Sequence, residues 1–166
     1  MPPPVTPIVE QQGDLWIIRT AIGNFAGNVL PGQDATVRRF STFDEAQAVV
    51  LFSLRQPSYL PAGYIFREAI VTPLDWAFLF YGGPNGDIIL AQMPVGERPG
   101  GDAQHSIFAE TGTLTDKPIE PAILNGQPAG WVDGHSLMWE AEGISYALGG
   151  LDLSLDEATR IAESLK

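Results

Sequence analysis

The chain has 166 residues, 45% hydrophobic and 17% charged, with 18 Gly, 14 Pro and no Cys. Its formal charge of −11, from 20 acidic and 9 basic residues, repels a phosphate backbone and an anionic membrane surface, which argues against nucleic acid as a partner. The lack of cysteine removes disulfides, thiolate chemistry and Cys-ligated zinc together, and no apolar run approaches the roughly 20 residues of a membrane-spanning helix.

This length suits one domain with a real core. Few charges and many turn formers lean towards β-rich structure, and the acidity reads as solubility. Residues 1–7, MPPPVTP, are a flexible Pro-rich leader or linker. They lack the basic start and apolar core of a signal peptide, so any membrane anchor of the natural protein is expected outside this chain. Residues 8–166 form the single globular domain.

Val5 to Val9 and Leu15 to Ile22 are expected to pair as a small hairpin, and the run Leu15-Trp16-Ile17-Ile18 needs cover. Gly23 to Arg39, rich in Gly, Asn, Pro and Asp, reads as a long loop. A helix is predicted from about 43 to 53. Thr42 and Glu45 make a capping box, and Phe43, Ala46, Val49 and Val50 share one face. Pro57 ends it. Leu60-Pro61-Ala62-Gly63 suits a type I turn with Pro61 second.

Strands follow. Tyr64 to Thr72 is the first; Trp76 to Tyr81 and Asp87 to Met93 make a hairpin, and both faces of WAFLFY are apolar, as in a central strand. Gly96 to Gln104 is a loop. Ser106 to Glu110 and Ile119 to Leu124 are further strands. Asn125-Gly126, Asp133-Gly134 and Glu142-Gly143 mark tight turns of a meander. Two-residue loops would set Val132 opposite His135, Ala141 opposite Ile144 and Trp139 opposite Tyr146. Alternation then puts Leu137, Trp139, Ala141, Ile144, Tyr146 and Leu148 on the core face, and Trp131, Ser136, Met138, Glu140 and Ser145 on the other. Ser154 and Glu157 cap a last helix, about 155–165, with the stripe Leu155, Ala158, Ile161, Ala162 and Leu165. The expected fold is α+β: an antiparallel, meander-rich sheet of about six to eight strands covered by two helices.

Two stretches carry a resemblance. Asp44, Glu45, Ala46 and Gln47, followed by Pro57, Leu60, Pro61, Gly63 and Tyr64, resemble the opening of a bacterial domain family of unknown function. Ala129, Trp131, Trp139-Glu140, Gly143 to Tyr146 and the closing Ala162 to Leu165 resemble its end, so the likeness spans Phe43 to Lys166. Such domains are found as extracytoplasmic, C-terminal parts of anti-sigma-factor-like and lipoprotein-sorting-like membrane proteins. The resemblance implies no known activity and supplies no catalytic residues. It implies an extracytoplasmic location behind an anchor outside this chain; a chain complete as given would be cytoplasmic.

Chemistry-bearing residues are sparse. Only His105 and His135 offer imidazole bases, and no nucleophile elbow, zincin motif or phosphate loop occurs. Asp133, His135 and Glu140 lie close in sequence, but Asp133 suits a turn and Glu140 a solvated strand position, so no metal and no cofactor is expected. Trp131 and Met138, on the face opposite the core stripe, either sit under a helix or the N-terminal hairpin or form a partner surface. Tyr59 and Tyr64 pack around the proline turn or rim a pocket. These four residues are the candidate surface for a protein, peptide or small apolar ligand. The expected function is a non-enzymatic sensor or binding domain in envelope or stress signalling. The alternatives are a hydrolase using His105 or His135, and a structural module that oligomerises, as a homodimer for example.

Overall fold

The computed structural model describes residues 8–12, 15–20, 23–28, 37–72, 75–84, 86–94, 119–132, 134–150 and 152–166. The fold is α+β. Eight antiparallel strands form the main sheet: β4 (Arg38–Phe40), β5 (Ile65–Val71), β6 (Ala77–Gly83), β7 (Gly86–Pro94), β8 (Ile119–Leu124), β9 (Gln127–Val132), β10 (Ser136–Ala141) and β11 (Ile144–Gly149). Their order across the sheet is β4-β5-β6-β7-β11-β10-β9-β8. A second sheet holds β1 (Ile8–Gln12), β2 (Leu15–Thr20) and β3 (Gly23–Asn28). The helices among the described residues are α1 (Phe43–Val49) and α2 (Leu155–Glu163). No helix among the described residues is long and apolar enough to cross a membrane.

Alternation along the strands divides the core in two. Ala77, Leu79, Tyr81, Leu90, Leu137, Trp139, Tyr146 and Leu148 share one cluster with Ala46 of α1 and Ala158, Ile161 and Ala162 of α2. Phe78, Phe80, Ile89, Met93, Met138 and Ala147 point the other way and share a second cluster with Ile18 of β2. Both faces of β6 are buried, as the apolar run WAFLFY requires.

The expected hairpin at the N-terminus continues into a third strand. Gly23–Asn28 lies in the stretch read as loop; its pairing with β2 outweighs the weak strand preference of Gly and Asn. Arg38–Phe40 in the same stretch joins the edge of the main sheet. The expected strand at Ser106 to Glu110 and the loop at Gly96 to Gln104 lie outside the described residues.

Helix α1 is four residues shorter than expected. Thr42 accepts from the Glu45 N–H at 3.2 Å, and its hydroxyl donates to the Glu45 carboxylate at 3.0 Å. After Val49 the chain turns extended, with ψ of 154° at Val50. The stop is therefore built locally: the Gln47 amide donates to the Phe52 carbonyl and accepts from the Leu54 N–H, both at 2.8 Å, while Asp75 accepts from the Leu51 N–H at 2.9 Å. Pro57 lies well past the end.

The proline turn is shifted by one residue. The Tyr64 N–H donates to the Pro61 carbonyl at 3.3 Å, so Pro61 is first and Gly63 third, at φ +89°. A third position with positive φ is the type II geometry that glycine relieves of strain.

The meander contains the main correction. Asn125-Gly126 and Glu142-Gly143 are two-residue loops, with Leu124 opposite Gln127 and Ala141 opposite Ile144. Between β9 and β10, however, Val132 pairs with Ser136, not with His135. Three residues occupy that connection, and the His135 N–H donates to the Val132 carbonyl at 3.2 Å. One extra residue reverses the side assignment of the whole preceding strand. Trp131 thus sits opposite Leu137 in the helix-side cluster, while Met138 belongs to the cluster with Ile18.

Candidate functional site

Helix α2 borders two clefts. The first has a volume of about 160 Å³. Its floor is Leu124, Trp139, Tyr146 and Ala162, all buried, and its rim carries Arg55, Glu140, Glu142 and Glu163. Trp139 and Tyr146 sit opposite each other on β10 and β11, and their rings stack at 5.0 Å with an interplanar angle of 8°. The tight Glu142-Gly143 turn, with both φ values positive, joins these strands and places Glu142 at the mouth.

Arg55 reaches the mouth from the connection after α1. Its backbone is held on both sides by one buried side chain: Gln92 of β7 accepts from the Arg55 N–H at 2.9 Å and donates to the Arg55 carbonyl at 2.7 Å. Gln92 is fully buried, so these two bonds satisfy an amide that would otherwise be costly there. The Arg55 guanidinium then pairs with Glu142 at 2.8 Å. Burial raises the Tyr146 phenol above its ordinary value; Arg55 opposes that shift and Glu142 adds to it.

The second cleft, about 140 Å³, is lined by Pro61, Tyr64, Asp87, Leu153 and Glu157 among others. Asp87 is 6% exposed and accepts from Arg67 at 2.6 Å. Burial nevertheless pushes the Asp87 carboxyl up, against the pull of Arg67, with Glu68 adding to the rise. Arg67 is the extra residue of a bulge in β5, between Phe66 opposite Tyr81 and Glu68 opposite Phe80. Among the described residues, no three His, Asp or Glu side chains converge as a metal site.

The four residues singled out from sequence do not form one surface. Trp131 is 6% and Met138 7% exposed, on opposite faces of the sheet. Tyr59 donates to Glu157 at 2.9 Å, and the Arg160 guanidinium lies 4.3 Å from its ring centroid. Tyr64 lines the second cleft and covers Gly83, where a Cβ would lie 2.2 Å from its ring. His135 is half-buried, its Nδ1 3.0 Å from the Ser136 hydroxyl. That hydroxyl belongs to a residue 1% exposed. His105 and Asp133 lie outside the described residues.

Sequence reading passed over Arg55, Gln92, Glu142 and Glu163, and took Trp139 and Tyr146 only as core. The one available signal was Gln92, a lone amide in the apolar run Ile88 to Met93. Comparison with known proteins finds no matching family model, no similar curated protein and no similar solved structure.

Proposed function

We propose that this chain is a non-enzymatic binding domain whose ligand, a peptide or a segment of a protein, seats over Trp139 and Tyr146. The supporting observation is the first cleft: a buried aromatic floor on two strands joined by a tight turn, beside an arginine whose backbone a buried glutamine fixes. Such pre-set geometry lowers the ordering cost of binding. In this reading α1 and α2 cover one face of the sheet, and the cleft opens where that cover ends. On the strength of the motif resemblance from Phe43 to Lys166, we propose an extracytoplasmic location and a regulatory role of the anti-sigma-factor-like kind.

Thermal denaturation against a panel of short peptides and small apolar compounds tests this. A ligand specific to the native state raises the midpoint, by about 2.7 kcal/mol of stability at a hundred times its Kd. Ala141 is exposed on the rim, so Ala141→Trp fills the cleft without touching the core. The expected result is a midpoint shift in the native chain that this variant abolishes. An equal shift in both proteins refutes the site, and mass-spectrometric turnover of any panel member supports the hydrolase alternative.

A further inference from the structure

Access to the first cleft is a separate matter from its floor, and it rests on the binding reading just proposed. Trp139 and Tyr146 line the cleft, yet they are only 5% and 4% exposed. At the mouth the Arg55 guanidinium meets the Glu142 carboxylate at 2.8 Å, from segments 87 residues apart in the chain. Both ends of that bridge have fixed backbones. Gln92 holds the Arg55 N–H and carbonyl, and Glu142 sits in a two-residue loop between paired strands. Parting the bridge therefore takes only side-chain rotation, the fastest of conformational changes. The charge of Arg55 also reaches the floor: burial raises the Tyr146 phenol, and Arg55 opposes that rise.

Glu142 is an unusual residue for its place. Its φ is +53°, in a loop whose next residue, Gly143, is at +77°. Loops with both φ values positive favour Asn-Gly, Asp-Gly or Gly-Gly. Asn and Asp relieve that backbone with a short side chain that bonds locally, which the longer glutamate does less well. The neighbouring hairpin carries the favoured residue, with Asn125 at φ +50° in the matching position. A sparsely populated backbone conformation kept at one residue points to a use for its side chain, and the bond to Arg55 is that use. We infer that Arg55 and Glu142 form a gate: paired, they shut the mouth of the cleft over Trp139 and Tyr146, and a ligand enters when they part. Arg55 is 39% and Glu142 78% exposed. Such exposed pairs are weak and screened by salt, so the gate yields to ligand at small cost and ionic strength sets how often it stands open.

The test needs no ligand. A neutral, water-soluble nitroxide broadens the indole N–H resonances that it can approach, and the NMR spectrum reads each tryptophan separately. The expected result is broadening of Trp139 that rises about twofold or more in Glu142→Asn and in Arg55→Met, as the loss of a weak exposed pair allows, with Trp131 unchanged. Salt at about 1 M, where charges are screened within about 3 Å, should give the same rise in the native chain and none in Glu142→Asn. Glu163→Gln, a rim charge outside the pair, should leave Trp139 as it is. Asparagine suits the loop, so the denaturation midpoint of Glu142→Asn should equal or exceed the native one, which a purely structural bridge would not allow. Broadening of Trp139 that is unchanged in both variants overturns the gate and leaves the binding reading standing, because Ala141→Trp tests that reading separately. A rise in one variant alone, a native chain indifferent to salt, or a lowered midpoint in Glu142→Asn overturns the gate as well.

Discussion

Four polar side chains show how the interior is set residue by residue. Gln92 is buried and fully used, since both halves of its amide bond the Arg55 backbone. Gln92→Leu keeps the volume but strands that N–H and carbonyl, and is expected to cost about 1–3 kcal/mol in chemical denaturation. The Tyr81 hydroxyl is the reverse case: it is buried and finds no partner among the described residues. Tyr81→Phe removes a hydroxyl that pays only desolvation, so its denaturation midpoint should equal or exceed that of the native chain. Burial also holds the Tyr81 and Tyr146 phenols above their ordinary 10.0. Above pH 10 the unfolded chain loses those protons first, so stability should fall as pH rises past 10, and absorbance should show these two tyrosines ionising only with unfolding. Asp87 works at the acid end. Its raised carboxyl binds a proton in the native state before the unfolded state does, so stability falls as pH rises through the window just above 3.8. Asp87→Asn should remove that slope, and comparison of acid denaturation profiles checks it.

Among the elements, legibility followed locality. The caps of both helices, the strands β5 to β7 and the turns at Asn125-Gly126 and Glu142-Gly143 were readable, because each signal lies within a few residues of its effect. Three features were not. Helix α1 ends on side-chain bonds from Gln47 and Asp75, and Asp75 lies 24 residues beyond the amide that it accepts from. Strand β3 exists through its partner β2 and not through its own composition. The turn after β9 carries the same Asp-Gly signal as a two-residue loop, yet His135 is an extra residue, and that single unit moved Trp131 to the opposite face. The cleft was unreadable for the same reason: Arg55, Gln92, Trp139 and Glu163 meet only through the sheet order. Gly83→Ala sets a Cβ against the Tyr64 ring at 2.2 Å, so it should lower stability by about 1–3 kcal/mol by thermal or chemical denaturation, as overpacking does.

Across the whole molecule, the segment around Pro57 and the C-terminal end are physically joined. The Gln56 N–H donates to the Lys166 carbonyl at 3.2 Å, and the Lys166 N–H donates back at 3.1 Å. The Ser58 N–H and hydroxyl both donate to the Ser164 carbonyl, at 3.1 and 2.8 Å, and the Tyr59 N–H donates to the Ser164 hydroxyl at 3.1 Å. The Pro57 segment and the closing Ser164-Leu165 are thus two sides of one clasp. Deleting Leu165 and Lys166 should expose the Gln56 amide to hydrogen exchange while amides in the middle of β6 stay protected. The clasp also sets the cleft, because Arg55 precedes one side of it and Glu163 and Leu165 belong to the other. In the proposed binding mode the ligand seats on Trp139. The chain has 4 tryptophans, and each gives one indole N–H resonance in a nitrogen-correlated NMR spectrum. During titration with a peptide that raises the denaturation midpoint, the Trp139 indole should shift while that of Trp131, buried outside the cleft, stays in place. A spectrum in which Trp139 does not move while other tryptophans do would contradict that seating.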